Sequence, residues 1–192
     1  MSEETDEALL ARARSGDRHA FDNFLNRHAT SVYRWMCRAA GESDAEDLTQ
    51  EIFLKAYRGL SKYRGDAPAR AWLAAIAHNT LKNRYRFRSR FARVFGRKPE
   101  IDDDPPEPPS GDRDPESLAS AGESRRLVAE ALRRLPEEFR MPIVLRDLEG
   151  WNYEEIAVSL GVPVGTVKSR IARGRGHLRD VLAPLIRREV RE

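Results

Sequence analysis

Six of the chain's eleven prolines fall between residues 99 and 115, in the stretch that is also its most acidic: Pro99, Pro105, Pro106, Pro108, Pro109 and Pro115. Proline has no amide hydrogen to donate and disfavours helix in the residue before it, so Pro99–Pro115 predicts no packed element. Low hydrophobicity and like charge keep such a segment extended and solvated. The 192 residues therefore divide into a domain over 1–94, a linker over 95–118 and a second domain over 119–192. A prior of about 150 residues per domain accommodates one or two. The run Asp102-Asp103-Asp104 reads as solvated charge and not as a metal site, because nothing rigid holds those carboxylates.

The net charge of +3 hides how the signs are arranged. Residues 1–19 carry −2, residues 20–98 carry +9, residues 99–123 carry −8 and residues 124–192 carry +4. Two basic blocks flanking an acidic spacer point to two separate contacts with a polyanion. No apolar run approaches the ~18 residues of a membrane span, and acidic Met1–Leu10 lacks the order of a signal peptide. The one cysteine, Cys37, excludes an intrachain disulfide and a multi-cysteine zinc site. The expectation is a soluble cytoplasmic chain with no direct membrane insertion.

The N-terminal block reads as helices. Phe21, Phe24, Leu25, His28, Val32, Tyr33 and Met36 recur at three- and four-residue steps, and Cys37 lies in the same apolar pattern. Gly41 interrupts it, and Ser43 or Asp44 can cap a helix running to about Leu60. Ala45, Leu48, Ile52, Phe53, Ala56 and Leu60 share one face of that helix. Asp47, Gln50, Glu51 and Arg58 share the other, with Leu54 among them as an exposed apolar residue ringed by charge. Leu60–Pro68 is a loop by its Gly and Pro content. The next helix starts near Arg70 with a core stripe of Trp72, Leu73, Ile76, Ala77 and Thr80, and its other face offers His78, Lys82 and Arg86. From Lys82 to Lys98 there are eight basic residues and no acidic one, interleaved with Tyr85, Phe87, Phe91 and Phe95. Cations meet phosphates and rings stack on unpaired bases, so this run favours nucleic acid. The alternation over Arg84–Arg88 leaves helix, strand and frayed arm all open.

In the C-terminal block Leu127, Val128, Ala131, Leu132 and Leu135 lie on one helical face. Pro136 suits the first turn of a second helix, and Pro142 inside it predicts a bend. The informative segment runs from Trp151 to Arg173. Asn152 and Glu155 form an N-cap with its third-position acid, and Gly161 is a left-handed stop after Ile156, Ala157 and Leu160. Val164, Val167, Ile171 and Leu178 then repeat as a second buried face. Two short helices joined this tightly form the helix-turn-helix of DNA readers. Gly165, Lys168, Ser169, Ala172 and Arg173 point outward, small residues for close approach and donors for phosphates or base edges. Signals for catalysis are absent. The four histidines are scattered, no zinc-protease, nucleophile-elbow or P-loop pattern occurs, and Glu137-Glu138 and Glu154-Glu155 complement helix N-termini. No metal or cofactor is expected.

On these residues the chain resembles a bacterial RNA polymerase sigma factor of the extracytoplasmic-function (ECF) type. Asp44–Tyr57 is similar to region 2.2, which docks on the β′ clamp helices of the polymerase. Tyr63-Arg-Gly-Asp and Trp72–Asn79 resemble regions 2.3 and 2.4, which open and read the −10 element. Leu135–Arg140 and Tyr153–Arg175 resemble region 4, whose helix-turn-helix reads the −35 element. The resemblance implies an all-α fold of two small helical domains joined by a flexible acidic linker. It implies polymerase contacts at Asp47, Gln50, Glu51 and Leu54, and −10 contacts at Lys62, Tyr63, Arg64, Asp66, Trp72, His78, Asn79, Lys82 and Arg86. It implies −35 contacts at Arg146, Thr166, Lys168, Ser169, Ala172 and Arg173. Core polymerase (β′ clamp helices and β flap), promoter DNA and an anti-sigma factor are the implied partners. The competing reading is a two-domain DNA-binding activator, which would bind its operator alone; a nuclease would need a fixed carboxylate or histidine cluster.

Overall fold

Side chains that stop and start helices set the element boundaries. The Thr5 hydroxyl accepts from Ala8 N–H at 3.3 Å and starts helix α1 (Asp6–Arg14), and Asp17 does the same for Ala20 and helix α2 (Arg18–Ala40). In this computed structural model, which describes residues 4–95 and 127–189, the later elements follow in order. They are α3 (Glu42–Gly59), a 3-10 turn (Leu60–Lys62), α4 (Ala69–Phe95), α5 over residues 127–134, α6 (Glu137–Ile143), a π turn (Val144–Leu148), α7 (Tyr153–Leu160) and α8 (Val164–Glu189). The fold is all-α. The linker expected over 95–118 lies, Phe95 apart, outside the described residues, as do residues 119–126.

Three expectations are corrected. Helix α3 begins at Glu42 with no side-chain cap, so neither Ser43 nor Asp44 caps it. Asp44 is buried inside the helix, and its carboxylate accepts from Arg84 at 2.8 Å and from Arg88. Of the expected apolar stripe on α2, Tyr33 is exposed while Trp35, two residues along, is fully buried. The face of α4 that carries His78, Lys82 and Arg86 is open only in part: His78 is 9 % exposed and Lys82 half-buried, while Arg86 is exposed.

Burial explains how the helices pack. Phe24, Val32, Trp35 and Met36 of α2 meet Leu48 and Ile52 of α3 and Leu73 and Ala77 of α4 in one apolar cluster. Glu7 from α1 accepts from Ala69 N–H at 3.0 Å and so occupies a free donor at the start of α4. In the C-terminal bundle Leu132, Leu135, Phe139 and Ile143 pack together against α8. Pro142 has no N–H and crowds the carbonyl four residues back, and the chain widens into the π turn directly after it.

The two bundles also meet along a seam that sequence periodicity does not carry. Met141, Val144, Leu145, Trp151, Ile156 and Val167 belong to the same buried cluster as the α2–α4 core. Trp151 and Trp35 meet edge to face at 5.7 Å, and Arg70 lies over the Trp151 ring at 4.1 Å while pairing with Glu155. The Glu149 side chain, 8 % exposed, is held by Arg34 and Arg38 of α2. Buried Arg140 reaches from α6 to the Leu135 and Ala39 carbonyls, its guanidinium 4.2 Å over the Tyr85 ring; burial pulls it below the usual arginine range.

Gly174 marks a close contact between α6 and α8, because a Cβ there would lie 2.5 Å from Ile143 Cδ1 and 3.0 Å from Phe139 Cβ. Gly176 on the same helix has open space around it. In urea melts, Gly174→Ala is expected to lose about 1–3 kcal/mol by overpacking, and Gly176→Ala to gain up to about 1 kcal/mol through helix propensity. Equal effects at the two positions would contradict the packing described.

Candidate nucleic-acid interface

The α7–α8 unit is built by local chemistry. Asn152 Oδ1 accepts from Glu155 N–H at 2.7 Å, and the Glu155 carboxylate accepts from Asn152 N–H at 2.9 Å, a complete capping box. Gly161 takes the left-handed conformation (φ 64°, ψ 36°) that ends α7, and α8 starts three residues later. Ile156, Ala157, Val167 and Ile171 are buried, and this fixes which side of α8 faces out. Gly165, Lys168, Ser169, Ala172 and Arg173 are all exposed on that outer side, with Thr166 half-buried. Ser169 donates to the Thr166 carbonyl at 2.9 Å, which leaves its oxygen free to accept.

Arg146 joins this face from the π turn. Its Nη1 donates to the Trp151 carbonyl at 2.7 Å, and its guanidinium lies 4.5 Å from the Tyr153 ring centroid. Lys168 Nζ lies 5.4 Å from the same ring. A π face that holds two cations gives them a fixed position at small entropic cost. Tyr153 was not among the sequence candidates; its place at the first position of a capped helix was the available signal.

The second basic surface belongs to the N-terminal bundle. Lys62, Arg64 and Asp66 are exposed on the loop between α3 and α4. Tyr63 is buried, packs its ring at a tilt against Trp72 at 5.0 Å and donates its hydroxyl to the Ala67 carbonyl at 2.8 Å, so it shapes the loop from within. Burial, reinforced by Glu7, Asp6 and Asp66, pushes its hydroxyl above the ordinary tyrosine range. The run after Lys82 is helical as far as Phe95. Its alternation resolves into four-residue pairs: Arg84 and Arg88 hold Asp44, and Phe87 stacks on Phe91 at 6.3 Å. His78, Asn79, Lys82 and Arg86 line a pocket against α6 and α8. Burial first, then Lys82 and Arg170, lowers His78 to about 4.

A third surface is acidic and apolar. Asp47, Gln50 and Leu54 are exposed on α3, Leu54 by 57 %, and Glu51 pairs with Lys55. Leu54 borders a groove of about 430 Å³ with Phe21, Leu25, Phe53 and Tyr57. Tyr57, exposed and packed on Phe21 at 5.4 Å, is a member that the sequence candidates lacked. Among the described residues no cluster of His, Cys, Asp and Glu fit to hold a metal is present, and no helix is long and apolar enough to cross a membrane.

Comparison with known proteins adds to this geometry. Residues 24–91 match the family described as sigma-70 region 2, and residues 125–178 match sigma-70 region 4. The chain is 39 % identical to the ECF RNA polymerase sigma-E factor of Escherichia coli strain K12, covering 98 % of this chain and 100 % of that protein. It is 36 % identical to the ECF RNA polymerase sigma-E factor of Haemophilus influenzae, covering 95 % and 97 %. Among solved structures it is similar to CnrH in complex with the cytosolic domain of CnrY, at 30 % identity and TM-score 0.65 over 94 % of this chain and 99 % of that one. It is also similar to the sigma factor RpoE in complex with the anti-sigma factor NepR from Bartonella quintana, at 25 % identity and TM-score 0.66 over 85 % and 96 %.

His78 yields a pH dependence with a definite sign. Its pKa in the folded chain is about 4 against an ordinary 6.5, so the unfolded chain binds the proton first as pH falls. Between pH 7.5 and 5.5 this group is expected to remove about 1.3 kcal/mol of stability, and His78→Gln to abolish that part of the loss. Glu137, which burial pushes up, acts with the opposite sign and at lower pH. Urea midpoints at the two pH values check it; an equal loss in His78→Gln would count against the assignment.

Proposed function

This chain belongs to the extracytoplasmic-function sigma factors of RNA polymerase, and from that premise we propose how its two bundles divide the choice of a promoter. The protein binds core RNA polymerase and directs transcription initiation. Sigma factors are initiation factors and not catalysts, so the residues below act by binding alone. Residues 1–94 form the domain that docks on core and handles the −10 element, 95–118 the linker, and 119–192 the domain that reads the −35 element and meets the β flap. Work on promoter DNA places the protein in the cytoplasm.

The observation that carries the −35 assignment is the outer face of α8, where Lys168, Ser169, Ala172 and Arg173 stand exposed behind a capped α7. Small Gly165 and Ala172 let the backbone approach the major groove, while Lys168 and Arg173 donate to base edges and phosphates. Arg146, held on the Tyr153 ring, and Thr166 extend that contact. On the other bundle the exposed polar face of α3, with Asp47, Gln50, Glu51 and Leu54, meets the β′ clamp helices. The α3–α4 loop, with Lys62, Arg64 and Asp66 outside and Tyr63 on Trp72 within, holds a −10 base taken from the stack at a cost of a few kcal/mol. His78, Asn79, Lys82 and Arg86 guide the strand along α4.

The seam adds a condition. His78, Lys82 and Arg86 line a pocket against the other bundle in the free chain, so full use of α4 requires the seam to part. Core polymerase supplies that energy by fixing each bundle on its own element, which turns two weak contacts into one strong one. Solved relatives carry partners in their complexes, the cytosolic domain of CnrY on CnrH and the anti-sigma factor NepR on RpoE. An anti-sigma factor that holds the inactive form is the corresponding partner here.

Run-off transcription with purified core polymerase and this protein as the only added factor tests the reading against a regulator that binds an operator alone. Lys168→Ala with Arg173→Ala is expected to lower −35-dependent transcription at least about tenfold and leave core affinity within twofold. Gln50→Ala with Glu51→Ala is expected to weaken core binding about tenfold or more and leave binding to −35 duplex unchanged. Loss of core binding in the first pair, or normal core binding in the second, would overturn the division of roles.

A further inference from the structure

Between the two bundles lies a polar pocket of about 310 Å³, near the lower end of the roughly 300–1,000 Å³ of small-molecule sites. Its charged walls come from three helices, Lys82 and Arg86 from α4, Arg170 from α8, and Glu137 and Glu138 from the start of α6, while Leu160 of α7 and Val162 of the following turn add an apolar side. The ion pairs of the seam run elsewhere, through Arg34, Arg38 and Arg70. Among the described residues none of the side chains of Lys82, Arg86 and Arg170 makes a hydrogen bond or ion pair. His78 also lines the pocket. It is nine-tenths buried, and its Nδ1 has no hydrogen-bond partner.

Closing the seam thus gathers three cations and many unused donors around a space of ligand size, with the His78 ring in its wall. Two carboxylates offset part of the charge, and they set a condition on what can enter. A singly charged anion gains little beside Glu137 and Glu138. An anion with several charges and several acceptor oxygens can engage α4 and α8 together, and multiple charge-assisted hydrogen bonds are the strong kind. The mutual repulsion of Lys82, Arg86 and Arg170 falls when such a group sits between them. The depressed proton affinity of His78, caused by burial and by Lys82 and Arg170, reports the positive potential that an anion would relieve.

We propose that this seam pocket binds a diphosphate group, held by Lys82 and Arg86 on one wall and Arg170 on the other, and that its binding favours the closed arrangement of the bundles. A ligand that touches both walls binds only when they are together, so it shifts the population toward closure. The same anion competes with DNA for Lys82 and Arg86. The inference rests on the seam alone and stands whatever promoter positions the two bundles read.

Thermal melting of the full chain tests it, with inorganic pyrophosphate titrated against sodium chloride of matched ionic strength. The expected result is a saturable rise in Tm with pyrophosphate alone. Lys82→Gln with Arg170→Gln is expected to raise the half-saturating concentration at least tenfold, while Arg179→Gln, exposed at the far side of α8, leaves it within twofold. Glu149→Gln, which loosens the seam without touching the pocket, is expected to weaken binding as well. ADP in a parallel series distinguishes the source of the diphosphate, tighter binding than pyrophosphate meaning a nucleotide and weaker binding meaning the free anion. No rise beyond that in sodium chloride, an unchanged response in Lys82→Gln/Arg170→Gln, or an equal loss in Arg179→Gln would overturn the site. Full affinity in Glu149→Gln would overturn its link to closure.

Discussion

The carboxylate of Glu149 sits almost wholly out of water between Arg34 and Arg38 of the other bundle, and a charge so placed persists only while both guanidinium groups reach it. What brings it there is a chain of local events. Pro142 breaks the α6 ladder, the π turn widens the backbone behind it, and Trp151 N–H returns to the Leu145 carbonyl at 2.9 Å. That turn delivers Glu149 to α2 and Trp151 to Trp35 within three residues. Arg140 seals the other side, on the Tyr85 ring and the Ala39 carbonyl at the end of α2. A buried charge network of this kind specifies geometry more than it adds stability, so the seam reads as a register between bundles that can also be undone.

The placement of charge then gains a second meaning. The blocks of +9 and +4 read along the chain are the material of the two basic surfaces, and the acidic spacer of −8 makes the total look nearly neutral. In the fold many of those cations are already engaged: Arg84 and Arg88 on Asp44, Arg34 and Arg38 on Glu149, Arg175 on Asp147. Lys168 and Arg173 on α8 and Lys62 and Arg64 on the α3–α4 loop remain exposed, and they are among the cations to which the proposed division of roles gives DNA contacts. A sigma factor gains from this economy. Fewer free cations mean weaker attachment to random duplex.

Local structure was legible in the sequence wherever the cause was local. The cap at Asn152, the stop at Gly161 and the outward set on α8 follow from side chains within one or two turns, and each stands where the pattern put it. The misplaced start of α3 has a distant cause, since Asp44 reads as a cap until Arg84 and Arg88, forty and more residues on, take its carboxylate. Trp35 shows the same limit. It keeps the three-and-four spacing, three residues after Val32 and four before Ala39, but spacing in one helix cannot register its partner Trp151, which arrives 116 positions later. His78 reads as open from its own helix for the same reason, since the residues of α6 and α8 that line the pocket with it lie more than fifty positions on. The candidate surfaces were thus legible as faces of single helices, and the seam that brings them together was not.

The most direct measurement of whether this closed arrangement is what polymerase must undo is a distance. With Cys37 replaced by Ser, spin labels at exposed Glu46 on α3 and Glu154 on α7 report across the seam in full-length protein. A narrow, short distance in the free protein that lengthens when core polymerase is added is the expected result. A distribution that is broad in the free protein, or one that core leaves unchanged, would contradict a seam that holds the bundles together and opens on polymerase.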